Sequence, residues 1–477
     1  MSKQLPQQPS LEHLKNEAKA LLRLLRESFP EAKLAEAQRD VAREYGFSSW
    51  SRLKRAVEGY ADQRTALVAA IRAGDRIRVS RLLDENPLLI ESRDPDSFGA
   101  PPILAAAHRN DIPMLELLLS RGADIDGRSD WWAGSFGALD FTNDEASAFL
   151  LSRGATLTAH AAARLGKAEE LRRLIARDPS VMNERGGDGQ YPLHFAKTAE
   201  IVDILLDAGA EIDARDLDHE GTPAQTRVLD SEVLKRLVER GASTDIFMAI
   251  VLDDLDLVRK HLADDPEALE RSVDEPGNPM IPQAPGRHIY TYNIGFARPI
   301  QVSVNLERWR LYDYLFALLP PSSQLLAACW KGDREAAEDV LARHPEAIAE
   351  ARERHARLPG MAAKFPRPHT LALMLALGFD PNVQDGEGFA PIHWAAFHGR
   401  PDLIEIILPY GPDLELRNVY GGTVLGTSCY GSLYGWSRAA GDYARTAELL
   451  IEAGAKAPEH ASGSQELMAV LRRTTNL

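Results

Sequence analysis

Leu118-Leu119-Ser120-Arg121-Gly122-Ala123 reads as the end of a helix. Paired leucines close a buried face, and a glycine just past the last turn takes the left-handed backbone that stops it. The phrase returns as Leu150-Leu151-Ser152-Arg153-Gly154-Ala155 and Leu205-Leu206-Asp207-Ala208-Gly209-Ala210. Leu237-Val238-Glu239-Arg240-Gly241-Ala242 and Leu450-Ile451-Glu452-Ala453-Gly454-Ala455 continue it, and weaker copies end at Gly378 and Gly411. A second ending sets a polar residue before proline, at Asn86-Pro87, Asp178-Pro179, Asp265-Pro266 and His344-Pro345. Proline lacks the N–H a helix needs, so it stops the chain by another route. These four copies align without gaps: Ala70, Ala162, Ala249 and Ala328 stand 17 residues before the prolines. Gly74, Gly166, Asp253 and Gly332 stand 13 before, and Leu83, Ile175, Leu262 and Leu341 four before. The prolines lie 92, 87 and 79 residues apart. Each interval therefore holds two or three units of about 33 residues, a helical-repeat period. With a degenerate ending near Leu318-Leu319, the endings imply about twelve units between Asp62 and Pro458.

Tyr191-Pro192-Leu193-His194-Phe195-Ala196 and Ala390-Pro391-Ile392-His393-Trp394-Ala395-Ala396 carry a further signal. They resemble the Thr-Pro-Leu-His-x-Ala signature of ankyrin repeats, and Gly221-Thr222-Pro223 and Ala100-Pro101-Pro102-Ile103-Leu104-Ala105-Ala106 are partial copies. The resemblance spans residues 62–457. It implies an all-α solenoid of antiparallel helix pairs joined by hairpin fingers. Gly154 to Asp178 leaves room for no finger, and Asp245-Ile246-Phe247-Met248 follows Gly241 as directly, so the fingers are expected to be irregular. The order of the chain also resembles a bacterial ankyrin-repeat subfamily with an N-terminal helical segment. That match rests on Ser10–Lys15, Ala42–Trp50, His393–Gly399 and Tyr430–Trp436, and implies architecture without mechanism.

The 477 residues are 44% hydrophobic and 26% charged, a globular composition. No apolar run approaches the roughly 18 residues of a membrane span, and no secretory signal is visible. Two cysteines, Cys329 and Cys429, cannot build a disulfide framework, which points to a cytoplasmic protein. A net charge of −15 disfavours a broad grip on nucleic acid or anionic lipid.

Three segments fall outside the regular units, and the expected division is 1–60 as a three-helix cap, 61–457 as the solenoid and 458–477 as a C-terminal helix or tail. Leu11, Leu14, Ala18, Leu21, Leu22 and Leu25 form one amphipathic stripe of the cap, with Ser10 as its N-cap. Residues 41–53 look like a helix-turn-helix, but residues 1–60 carry only 11 Lys/Arg against 8 Asp/Glu, weak for a DNA reader. In 272–298, Pro276, Gly277, Pro279, Pro282, Pro285 and Gly286 break any helix, and His288-Ile289-Tyr290-Thr291-Tyr292 alternates like a strand. An insertion at 431–442 is rich in Gly, Ser and aromatics.

His194 and His393 occupy the signature position, where the resemblance implies a structural clamp. His393 and His398 diverge too far on a helix to share a metal. Asp216, Asp218, His219 and Glu220 cluster at one finger tip and read as a solvated turn ahead of a weak divalent site. Gly186-Gly187-Asp188-Gly189 lacks the setting of a dinucleotide loop. Ser51 and Lys54 match a serine–lysine pair by spacing alone. Cys329 is expected in the core and Cys429 at the surface. No catalytic, cofactor or metal residue is assigned, and no cofactor is implied. The expected function is a non-enzymatic scaffold that binds a basic or neutral protein on a concave ankyrin surface, with no membrane contact. Its anchors are taken as Trp131, Trp132, Tyr290, Tyr292, Trp330, Trp394, Tyr434 and Trp436, rigid aromatics of the kind that dominate interfaces. A small-molecule sensor or enzyme in the inserted loops, and a DNA-associated regulator acting through the N-terminal helices, are the alternatives.

Overall fold

The computed structural model describes residues 11–273, 275–278, 280–281, 288–295, 297–458 and 461–475. Ser10, Pro279, Pro282, Pro285 and Gly286 lie outside them. Among the described residues the chain is helical with no strand, apart from one antiparallel bridge between Asp94 and Ala100. It is an all-α solenoid of short helix pairs. The pairs fall into two compact units, Met1–Met248 with Val273–Phe296, and Ala249–Ser272 with Ala297–Leu477.

The helix endings follow the local chemistry of the sequence. Gly122, Gly154, Gly209, Gly241 and Gly454 all have positive φ, and the next alanine's N–H reaches back to the first leucine of the phrase, as from Ala123 to Leu118 at 3.0 Å. This is the Schellman closure. The proline endings open short 3₁₀ turns at Pro87–Glu91, Pro179–Asn183 and Pro266–Leu269. Upstream, Asp253 takes the same left-handed backbone (φ 56°) as Gly74, Gly166 and Gly332. The aligned alanines are buried, and so is a column eight residues before the prolines: Val79, Leu171, Val258 and Ala337 are each 0% exposed. Ile175, Leu262 and Leu341 are only half-buried.

In the first unit, helices Leu11–Ser28, Leu34–Glu44 and Trp50–Glu58 close on Leu14, Val41, Tyr45 and Leu53. Leu88 of the first repeat packs against this cluster, and Asn86 donates to the Ala56 carbonyl at 3.3 Å. The repeat core then runs through Leu67, Ile71, Leu104, Leu115, Leu118 and Leu150. In the second unit Leu371, Ile392, Leu403, Val424 and Leu450 form the core, closed by Leu467, Val470 and Leu471 of helix Gln465–Thr475. Each fully buried leucine contributes roughly 2 kcal/mol. His288-Ile289-Tyr290-Thr291-Tyr292 does not form a strand: Ile289–Asn293 is a short helix capped by His288 Nδ1, which accepts the Tyr290 N–H at 3.2 Å.

Neighbouring fingers touch where only glycine fits. Gly134 has φ 149°, and a Cβ there would enter the Gly186 carbonyl, whereas a Cβ on Gly122 (φ 91°) would meet open space. Gly122→Ala therefore carries backbone strain alone, about 1–2 kcal/mol, and Gly134→Ala adds a steric clash to that strain. Urea denaturation should show the larger loss for Gly134→Ala. Equal losses would show that the fingers part freely.

Candidate functional site

A long-armed donor stands immediately before each finger. Arg185 donates to Gly189 O at 2.6 Å on its own finger and to Arg215 O at 3.2 Å on the next. Arg215 repeats the move onto Glu220 O at 2.6 Å and Met280 O at 3.2 Å. Arg93 bonds Gly99 O at 3.2 Å and also the Arg128 carbonyl. In the second unit Gln384 reaches Gly388 O at 2.6 Å and Arg417 O at 2.9 Å. Main-chain bonds join the same tips, from Asp130 N to Phe98 O at 2.8 Å and from Leu217 N to Asp188 O at 3.0 Å. The tips are thus fixed relative to one another within each unit. The Arg-Asp and Arg-Gly pairs at these turns stand in the sequence, but the second acceptor of each arm lies on the next finger, where no local signal points to it.

Aromatic rings ride on the locked tips of the first unit. Phe98 holds a left-handed backbone (φ 55°) and packs on Trp131 at 4.2 Å. Trp131 is half-buried, and its indole N–H faces Asp188 without closing a hydrogen bond. Trp132, 5.8 Å away, is 67% exposed. Farther along, Tyr292 is 69% exposed and tilts onto His219 at 5.0 Å. Beside Phe98 opens a cavity of about 330 Å³. Phe98, Phe136, Phe141 and Leu104 line it together with Arg72 and Arg109. Arg72 is held by Asp94 at 3.1 Å, while Arg109 makes no ion pair among the described residues. Neither this pocket nor Phe98 was singled out by the sequence reading, since its walls come from separate repeats.

Three expected anchors are buried and present no ring for docking. Tyr290 is 0% exposed, with its edge on Phe247 at 5.8 Å, because the helix that replaces the expected strand turns it inward. Trp330 donates to Asn305 Oδ1 at 3.0 Å beneath the Arg367 guanidinium. Trp394 donates to Asp385 Oδ2 at 2.9 Å and stacks on Phe389 at 4.6 Å. Tyr434 and Trp436, in the second unit, are each 66% exposed. One edge of Trp436 rests on Phe397 at 4.8 Å, and Tyr434 leans on Tyr430 at 5.0 Å.

The buried polar groups brace the backbone. His194 Nδ1 accepts the Tyr191 N–H at 3.1 Å, which leaves Nε2–H to donate to Gly221 O at 3.1 Å. His393 does the same between the Ala390 N–H and Leu416 O. His160 plays a similar part on Glu184 O and Gln190 O, without the motif that marks the others. Burial pushes the Asp188 carboxyl up to about 6, against the pull of His219. Burial also raises Asp245, the cap of the Met248 N–H, to about 6. Cys329 is buried and its thiol rises to about 12. Cys429 is also buried rather than at the surface, and its thiol rises to about 11, because helix Val424–Tyr434 packs against Pro391–Phe397. Ser51 and Lys54 are both exposed, and Lys54 pairs with Glu58 at 3.6 Å.

Stacked short helix pairs carrying side-chain-bearing fingers define a helical repeat protein. Residues 361–408 match the family model described as ankyrin repeats in many copies, and residues 98–130 and 188–217 match the single ankyrin repeat. These segments carry ankyrin repeats, the family that the sequence resembles. It is 34% identical over 65 residues, 14% of its length, to an ankyrin repeat-containing protein of Schizosaccharomyces pombe, and spans 31% of that protein's length. Among solved structures it is similar to the human ASB11 ankyrin repeat domain (16% identity, 64% of this chain, 100% of that one, TM-score 0.25). It is also similar to a chain in the complex of the Bd0816 predatory endopeptidase of Bdellovibrio bacteriovorus with immunity protein Bd3460 (21%, 37% and 97%, TM-score 0.26). No helix among the described residues is long and apolar enough to cross a membrane.

The His194 clamp sets a pH dependence. Burial, aided by the nearby positive charge of Arg185 and by His160, lowers its imidazole from 6.5 to about 4. The folded chain keeps it neutral while the unfolded chain protonates it. Its contribution is complete above pH 6.5 and is lost as pH falls from 6.5 to 4, on the order of 3 kcal/mol. The Tm of the intact chain should fall over that window, and His194→Gln should flatten the slope between pH 6.5 and 5. An unchanged slope in the variant would show that His194 is not held neutral.

Proposed function

We propose that this chain is a non-enzymatic docking protein, and that the fingers and pocket of its first unit receive a segment of a protein partner. Ankyrin repeats in general mediate contacts between proteins. The observation that carries the reading is a pair of rings, Phe98 and Trp132, left outside on tips that hydrogen bonds hold still, beside an apolar cavity that Phe98 lines, with Tyr292 exposed farther along. Rigid aromatics lose little entropy on binding and so make strong anchors. Phe98, Phe136 and Phe141 offer a slot for one apolar side chain, and Trp131, Trp132 and Tyr292 extend the contact along the tips. Tyr434 and Trp436 supply a second, smaller patch. The net charge of −15 suits a basic or neutral partner. Two free, buried cysteines suit the cytoplasm.

Affinity capture from native cytosol, followed by titration of the purified partner, tests the reading. Phe98→Ala with Trp132→Ala should weaken binding at least about tenfold and leave Tm unchanged. Tyr434→Ala with Trp436→Ala should weaken it less. Full affinity in the first pair would remove the fingers of the first unit from the interface.

A further inference from the structure

Turns from consecutive fingers meet in the first unit. The Asp188 carbonyl accepts the Leu217 and Asp218 N–H groups at 3.0 and 3.2 Å. The meeting sets three potential ligands face to face. His219 Nε2 lies 3.4 Å from Asp218 Oδ2 and 4.0 Å from Asp188 Oδ2, and one donor atom from each residue lies within 4.8 Å of the others. A tetrahedral ion with bonds of about 2.0–2.1 Å holds its ligand atoms about 3.4 Å apart, so small side-chain rotations close the triangle. The sequence reading grouped Asp218 and His219 with Asp216 and Glu220 as a solvated turn. The fold instead adds Asp188 from the preceding finger.

The carboxylates of the triangle face His219 and one another. The side chains of Asp188, Asp218 and His219 are 22%, 19% and 16% exposed, a setting that removes much of the screening water. Asp216 is 3% exposed, and its Oδ2 closes no hydrogen bond among the described residues. Among the described residues no Lys or Arg forms an ion pair with any of these carboxylates. Arg185 and Arg215, the nearest arms in sequence, are committed to finger carbonyls.

We propose that Asp188, Asp218 and His219 form a three-ligand site for a divalent ion of the zinc type, with a fourth position for water or a group from a partner. One imidazole nitrogen and two carboxylates suit Zn²⁺ or Co²⁺. Ca²⁺ wants six to eight oxygens, and Mg²⁺ prefers an oxygen octahedron, so neither fits. The site stands apart from the docking reading: an ion would bind whether or not a protein does. It ties two fingers together, so occupancy raises the stability of the unit by mass action.

Calorimetric titration of the full chain with Zn²⁺, and Co²⁺ titration followed by visible absorption and tryptophan fluorescence, test it. One equivalent should bind with a Kd below about 100 μM, Tm should rise, and Co²⁺ should quench the fluorescence of the nearby Trp131. Mg²⁺ should give no saturable binding. His219→Ala and Asp218→Asn should each weaken Zn²⁺ at least about tenfold, while Tm without metal stays put. Asp218→Asn carries the test if His219→Ala does not fold. The proposal falls if no single equivalent saturates below about 1 mM, or if both folded variants bind as the unaltered chain does.

Discussion

A seven-residue helix cannot persist in water by itself. Pro102–His108 and Pro391–Phe397 are that short, well under the length at which an isolated helix becomes even marginal. Their order comes from neighbours on both sides. Ala70, Ala162, Ala249 and Ala328 permit close approach, and Val79, Leu171, Val258 and Ala337 fill the space beneath. Stability is then a sum over adjacent contacts rather than the property of one centre. Every other feature, from finger to aromatic ring, is mounted on this mutual support.

Helix ends were readable because glycine and proline act on their own backbone. Gly122 stops its helix for a reason contained in five neighbouring residues, and Asp253 shows that a non-glycine can fill the same role when its column demands it. The histidine clamps followed from a motif whose partners are near in the pattern. Facing was far less legible. Tyr290 and Tyr292 differ only in which side of a short helix they occupy, yet one is sealed and the other stands in water. Trp394 sits in the signature stretch, and only the Asp385 carboxylate from its own finger reveals where the indole goes. The pocket and the Asp188–Asp218–His219 triangle escaped because each is assembled from different repeats.

The molecule keeps its polar groups in two distinct employments. Buried imidazoles such as His194 and His393 are held neutral and spend both nitrogens on the main chain, which disqualifies them as acids or bases. Trp330 and Trp394 are buried with their indole N–H groups satisfied, while Phe98, Trp132, Tyr292, Tyr434 and Trp436 stand outside with apolar area uncovered. That division leaves the exposed rings free for the docking role proposed above. It fits a protein whose surface, more than its interior chemistry, meets other molecules.

The guanidinium arms have a mechanical implication. Arg185 and Arg215 each hold two carbonyls, one on either side of a gap between tips. Bonds of this sort contribute about 1 kcal/mol apiece and re-form readily. Under tension along a row of fingers they would break singly and heal singly, while the apolar seam between helices stays shut. The row should therefore behave as an elastic strip, stretching at its outer edge and recoiling once the load is gone.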